Sequence, residues 1–179
     1  MNNNGNQVSN LSNALRQVNI GSRNKQPLEG YTLFSHRSAP NGFKVAIVLS
    51  ELGFHYNTIF LDFNLGEHRA PEFVSVNPNA RVPALIDHGM DNLSIWESGA
   101  ILLHLVNKYY KETGNPLLWS DDLADQSQIN AWLFFQTSGH APMIGQATFQ
   151  ITKKRSGREE KDKERRRKKN ESKLKKKKK

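Results

Sequence analysis

Asn77-Pro78-Asn79-Ala80-Arg81-Val82-Pro83-Ala84-Leu85, followed twelve residues later by Glu97-Ser98-Gly99-Ala100-Ile101, decides how this chain is read. The first stretch places an X-Pro bond just ahead of a short apolar run. The second places an acid and a hydroxyl at the head of an apolar helix. Proline lowers the cost of a cis bond to about 0.5–1 kcal/mol, and a cis Val82-Pro83 bond would turn the Val82 N–H and C=O outward, where an extended ligand backbone can pair with them. Glu97-Ser98 falls at the first turn of its helix, where unpaired backbone N–H groups and the helix dipole favour an anionic ligand group. The Ser98 hydroxyl adds a donor, and the Glu97 carboxylate attracts an ammonium. The pair therefore suits an amino-acid head group, with plain helix capping as the alternative use of the same two residues.

Working outward, Tyr31-Thr32-Leu33-Phe34 reads as a strand closed by the turn cluster Ser38-Ala39-Pro40-Asn41-Gly42. Phe43, Val45, Ala46, Ile47, Val48, Leu49 and Leu52 recur at helical spacing up to a Gly53 stop. Residues 56–63 alternate as a second strand, and strand–helix–strand predicts a parallel crossover. A short helix over 70–76 precedes two strands, 82–87 and 93–96, joined by His88-Gly89-Met90-Asp91. Residues 97–110 form an amphipathic helix with Ile101, Leu102, Leu105, Val106 and Tyr109 on one side. Residues 27–112 are thus expected to be an α/β domain, a small mixed sheet with helices on both faces. Thr113-Gly114-Asn115-Pro116 is a linker, and 113–150 reads as that linker plus the start of an incomplete all-α domain, capped by Asp121 or Asp122. Its Trp132, Phe134 and Phe135 have little to pack on, which predicts fraying or self-association there.

The two ends have a different texture. Residues 1–26 are rich in Asn, Ser and Gln, too poor in apolar surface to offset chain entropy, and are expected to be a disordered arm. Asn-rich tracts also stack as in-register strands, an amyloid signature. Of the 26 Lys+Arg, 17 lie in 153–179 together with 5 of the 17 Asp+Glu, so the rest of the chain carries 9 basic and 12 acidic residues. The formal charge of +9 is a property of the tail, and the body gives no argument for specific nucleic-acid binding. A charge run of this kind is usually solvated, so 151–179 is expected to be a disordered basic tail. A polybasic anchor, sequence-independent and steeply salt-dependent, is the weaker reading of it. Cysteine is absent, which removes disulfides, thiolate metal sites and a cysteine nucleophile. With no membrane-length apolar run and no signal segment, the expectation is a cytoplasmic chain with no membrane partner and no metal.

The motifs at 77–85 and 97–101 resemble those of the glutathione transferase fold family: a thioredoxin-like N-terminal domain followed by a helical domain. Residues 26–146, including Tyr31 through Lys44, and the opening Met1-Asn2-Asn3-Asn4-Gly5-Asn6-Gln7 through Ile20-Gly21 narrow the resemblance to that family's prion-forming yeast regulators of nitrogen catabolite repression. Against them, the long Asn-rich region ahead of Gln26 is missing and the helical domain is unmatched after about Gln146. The sequence thus reads as an internally deleted, C-terminally truncated form. The resemblance implies glutathione as ligand or cosubstrate. Val82 would hold its cysteinyl part, and Glu97 and Ser98 its γ-glutamyl end. His68 and Arg81 would reach its glycyl carboxylate, and Asn41 would stand near the thiol as a weak hydrogen-bond donor. The family's usual Tyr, Ser or Cys activator has no clear counterpart, although Ser35 and Ser38 lie close in sequence. Because the thiolate is the nucleophile, binding is better supported than turnover, and peroxidase or transferase activity is expected to be weak. The implied partners are a GATA-type transcription activator held in the cytoplasm and a second copy in a homodimer.

Overall fold

Every residue of the first strand, β1 (Tyr31–Ser35), is buried, so both of its faces must be covered. The computed structural model, which describes residues 29–177, achieves this with a four-stranded sheet of order β2-β1-β3-β4, where β2 is Tyr56–Phe60, β3 Ala84–Asp87 and β4 Leu93–Trp96. β1 and β2 are parallel, with Tyr31 opposite Tyr56 and Ser35 opposite Phe60. The predicted crossover is made by α1 (Pro40–Glu51). β3 runs antiparallel to both β1 and β4. On one face Tyr31, Leu33 and Leu85 pack with Val45 and Leu49 of α1 and with Ile101, Leu105 and Val106 of α3 (Ser98–Thr113). On the other, Phe34, Ile59, Ala84 and Ile86 pack with Phe73 and Val76 of α2 (Pro71–Val76). The alternation along β1 assigns odd residues to the first core and Phe34 to the second, as a pleated strand must. The fold is the thioredoxin-like domain expected from the sequence.

Among the boundaries that differ from expectation, three bear on the site. α1 starts at Pro40, because proline suits the first helical position. β2 stops at Phe60, since the Asp62 carboxylate accepts from the Asn64 N–H (2.8 Å) and turns the chain out of the sheet. β3 begins only at Ala84, leaving Val82 and Pro83 ahead of the strand.

The first core also buries a charge cluster. Asp87, fully buried at the end of β3, accepts from Lys108 Nζ at 2.9 and 2.8 Å and from the Gly89 N–H at 3.0 Å, and lies 2.8 Å from His104 Nε2. Lys108 Nζ stands 5.1 Å from the centre of the Tyr31 ring. Burial, reinforced by the Asp87 charge and opposed by Lys108, pushes the Tyr31 phenol up to about 12. A phenol that holds its proton more tightly when folded makes the unfolded chain the first to ionise. Stability is therefore intact below about pH 10 and falls as pH rises from about 10 to 12. Lys108 acts in the same direction. Burial alone would lower its ammonium, but its hydrogen bonds and attraction to Asp87 outweigh that and hold it above the usual value. Urea midpoints should be flat from pH 8 to 9.5 and then decline, and Tyr31→Phe should flatten the decline.

The described chain divides after Ile129. α4 (Leu123–Phe135) and α5 (Ala141–Lys177) are joined by a π-helical turn, Gln136–His140. In α4 no side chain is buried, and Trp132 is 68% exposed. Residues 151–177, expected to be disordered, are helical in the structure. Lys, Arg and Glu are strong helix formers, and pairs such as Lys168–Glu164 (2.7 Å) link successive turns. The Asn-rich arm, 1–26, lies outside the described residues. Among the described residues, no helix is long and apolar enough to cross a membrane, and no cluster of three or more His, Asp or Glu is placed to hold a metal.

Candidate functional site

Strand directions gather the candidate residues before any side chain is considered. Pairing of Ala84 with Trp96 puts Val82-Pro83 and Glu97-Ser98 at the same end of the sheet. Pairing of Phe34 with Ala84 and Ser35 with Phe60 brings two more segments to that end. These are the exit of β1, leading to Asn41, and the exit of β2, leading to His68. All six residues singled out in the sequence belong to segments that leave or enter the sheet there.

The Val82-Pro83 bond is cis. The approach to it is folded by Asn77, 2% exposed. Its N–H donates to Phe73 O (2.9 Å), and its carbonyl accepts from the Ala80 N–H (2.9 Å). Its side chain accepts from the Asn79 N–H (2.9 Å) and donates to Arg81 O (2.6 Å). One buried amide thus shapes the loop that delivers an exposed Arg81 and a half-buried Val82. Asn77 is not among the residues expected at the site; its signal in the sequence is the Asn-Pro-Asn turn chemistry.

Ser98 opens α3 and is 4% exposed, whereas Glu97 is exposed. Glu97 has φ 69° and ψ 117°, and its side chain makes no capping hydrogen bond. The capping alternative is therefore not what the structure presents. A non-glycine residue at positive φ stores about 1–3 kcal/mol, and such strain concentrates at functional positions. Asn41 sits half-buried in the first turn of α1. The helix comes this close to β1 because residue 42 is glycine: a Cβ there would lie 1.9 Å from Ser35 Oγ. One turn on is Lys44, which sequence reasoning missed. Burial lowers its pKa and the Glu97 carboxylate opposes the shift, which ties the starts of α1 and α3 electrostatically. Its spacing of three from Asn41 was the only hint.

His68 lies on a 3-10 turn, Glu67–Arg69, after β2. The two serines close in sequence to Asn41 are engaged elsewhere. The Ser38 hydroxyl meets His36 Nδ1 at 2.9 Å, and Ser35, buried, donates weakly to His36 O at 3.4 Å. The end of the sheet thus offers backbone groups before a strand, a helix start with an acid beside it, two cations (Arg81 and Lys44), and an amide. These groups can bind a zwitterionic peptide, and they hold no strong base for its thiol.

Residues 29–107 match the family described as glutathione S-transferase, N-terminal domain. Among curated proteins, the chain is 63% identical over 229 aligned positions to the transcriptional regulator URE2 of Saccharomyces cerevisiae, using 82% of this chain and 65% of that protein. That alignment is longer than the chain of 179 residues, so the relative carries an internal segment absent here. The match to the URE2 protein of Candida glabrata is 93% identical over 122 residues, 68% of this chain and 34% of that protein. The chain thus spans less than two thirds of the length of these relatives. Among solved structures, Ure2p in complex with glutathione is 99% identical with a TM-score of 0.68, over 69% of this chain and 48% of that one.

Proposed function

We propose, from the match of residues 29–107 to the glutathione S-transferase N-terminal domain family and the similarity to URE2 proteins, that this end of the sheet binds glutathione. We propose further that the chain acts by holding a partner: a cytoplasmic negative regulator of nitrogen-catabolism genes that retains a GATA-type transcription activator. The observation that carries the ligand is the convergence of Val82, Glu97 and Ser98 at one sheet end. Val82 is offered to the cysteinyl backbone, Glu97 to the ammonium, and the α3 start with Ser98 to the γ-glutamyl carboxylate. Arg81 and His68 serve the glycyl carboxylate, and Asn41 the thiol. The regulatory role is supported by the similarity to a protein named as a transcriptional regulator. It is supported too by the chemistry of Asn41, a neutral amide that stabilises thiolate poorly. Full-length chain should co-precipitate the activator from yeast extract and exclude it from the nucleus on a rich nitrogen source. No retention by a folded, glutathione-binding chain sinks the regulatory role.

A second reading, glutathione-dependent peroxidase or transferase, is favoured by the same constellation. It predicts slow hydroperoxide turnover that Asn41→Ala abolishes. Turnover indistinguishable from the buffer rate in both proteins removes it.

Glu97 separates ligand from fold. Glu97→Gly should raise stability by about 1 kcal/mol, because glycine adopts φ 69° without a Cβ penalty. It should also weaken glutathione roughly tenfold or more through loss of a charged hydrogen bond to the ammonium. Urea midpoints and titration calorimetry read the two effects independently. A variant that is both more stable and equally tight would remove Glu97 from the site.

A further inference from the structure

Resting on the glutathione reading above, we infer that Phe63 is a positioning residue for the glycyl end of the ligand. Clasped between the rings of His36 and His68, it fixes the plane of the His68 imidazole for the glycyl carboxylate.

Phe63 is 39% exposed and belongs to neither core cluster, so burial does not explain a large aromatic at this place. What it does touch is specific. Its ring lies 4.3 Å from that of His36 at an interplanar angle of 20°, a stack. It lies 4.5 Å from that of His68 at 51°. A working histidine is commonly oriented through the hydrogen bond made by its second nitrogen. His68 has no such bond: Nδ1 is buried without a hydrogen-bond partner. Ring contact with Phe63 supplies the orientation instead.

The clasp is anchored at both ends. His36 Nδ1 accepts from the Ser38 N–H at 3.2 Å and meets the Ser38 hydroxyl at 2.9 Å, which locks that imidazole in the loop leading to Asn41. On the other side the backbone around Phe63 and His68 is tied to itself. Asp62 N–H donates to Glu67 Oε2 (2.6 Å), Gly66 N–H to Phe63 O (3.2 Å) and Arg69 N–H to Gly66 O (2.8 Å). The stack therefore joins the thiol-side loop to the glycyl-side loop through three rings. The fixed imidazole presents Nε2 for donation, and a carboxylate is the group that rewards such a donor.

The test compares glutathione with γ-glutamylcysteine, which lacks only the glycine, by calorimetry on the full chain and on Phe63→Leu and Phe63→Tyr. Hε1–Cε1 signals of His36 and His68 are recorded in each protein without ligand. The wild type should prefer glutathione. Phe63→Leu should lose roughly tenfold in glutathione affinity with γ-glutamylcysteine unchanged within about twofold, and should shift both imidazole signals. Phe63→Tyr, which keeps the ring, should retain the preference. Equal loss for both ligands, or no loss for either, overturns the inference, as does an unmoved His68 signal. A wild type that binds the two ligands equally overturns it by removing the glycyl contact alone. A wild type that binds neither ligand overturns the glutathione reading itself.

Discussion

Lys108→Met should destabilise the sheet domain by about 3–5 kcal/mol, although the lost group is a surface-type residue on an amphipathic helix. Lys108 Nζ makes two of the hydrogen bonds to Asp87, and Asp87 has no exposure to water. Methionine fills the stem's volume and leaves the carboxylate with only His104 and the Gly89 N–H. The cost is that of a buried charge stripped of its cation, not the net worth of an ion pair. The double variant Asp87→Asn/Lys108→Met should accordingly recover part of the loss, because no bare charge remains. Urea unfolding of the full chain followed by circular dichroism reads both. A loss below about 1 kcal/mol, in the range of an exposed pair, would mean that water reaches the Asp87 carboxylate.

That cluster was invisible in the sequence, and the reason is instructive. Asp87 ends a strand, where a polar residue usually marks the way out to solvent, and its side-chain partners are 17 and 21 positions away. Periodicity assigned the apolar side of α3 correctly: Ile101, Leu102, Leu105 and Val106 are all buried. It has no term for a lysine folding back over a tyrosine ring. The strands were legible because β1, β3 and the parallel crossover are written in local pattern and turn chemistry. The site residues were legible for a different reason. Val82-Pro83 and Glu97-Ser98 carry backbone instructions, an X-Pro bond and a helix start, and backbone instructions survive in sequence. Lys44 and Phe63 act through contacts with distant segments, Lys44 with Glu97 and Phe63 with His36, which only the folded sheet brings together; Asn77 bonds only within residues 73–81, and its signal is local turn chemistry.

The tail shows the opposite limit. Its composition argues that nothing can be buried, which holds for the described side chains of α5. Burial and helicity are separate questions, however. A run of Lys, Arg and Glu satisfies its backbone within the helix and leaves every side chain in water. Lack of an apolar stripe predicts lack of packing, not lack of helix.

Phe73→Ala is the second large effect, about 3–5 kcal/mol for a fully buried ring, and its consequence extends to the ligand. Phe73 packs on Phe34 with ring centres 5.4 Å apart, in the cluster against which Val82 leans. Its carbonyl also accepts the Asn77 N–H at 2.9 Å, so the residue that holds α2 to the sheet also seats the amide that folds the 77–81 loop. Emptying that volume should let α2 lift and release Asn77. The Asn79 and Ala80 amides, bonded to Asn77 at 2.9 Å each, should then exchange faster than those of β1. Glutathione affinity should fall in Phe73→Ala under conditions where the domain is still folded, while Phe73→Leu, which keeps most of the volume, should lose less of both. If Phe73→Ala loses stability but exchange at Asn79 and Ala80 and ligand affinity stay unchanged, the loop before Val82 is held by its own hydrogen bonds, and the core around Phe34 and Phe73 does not help to shape the site.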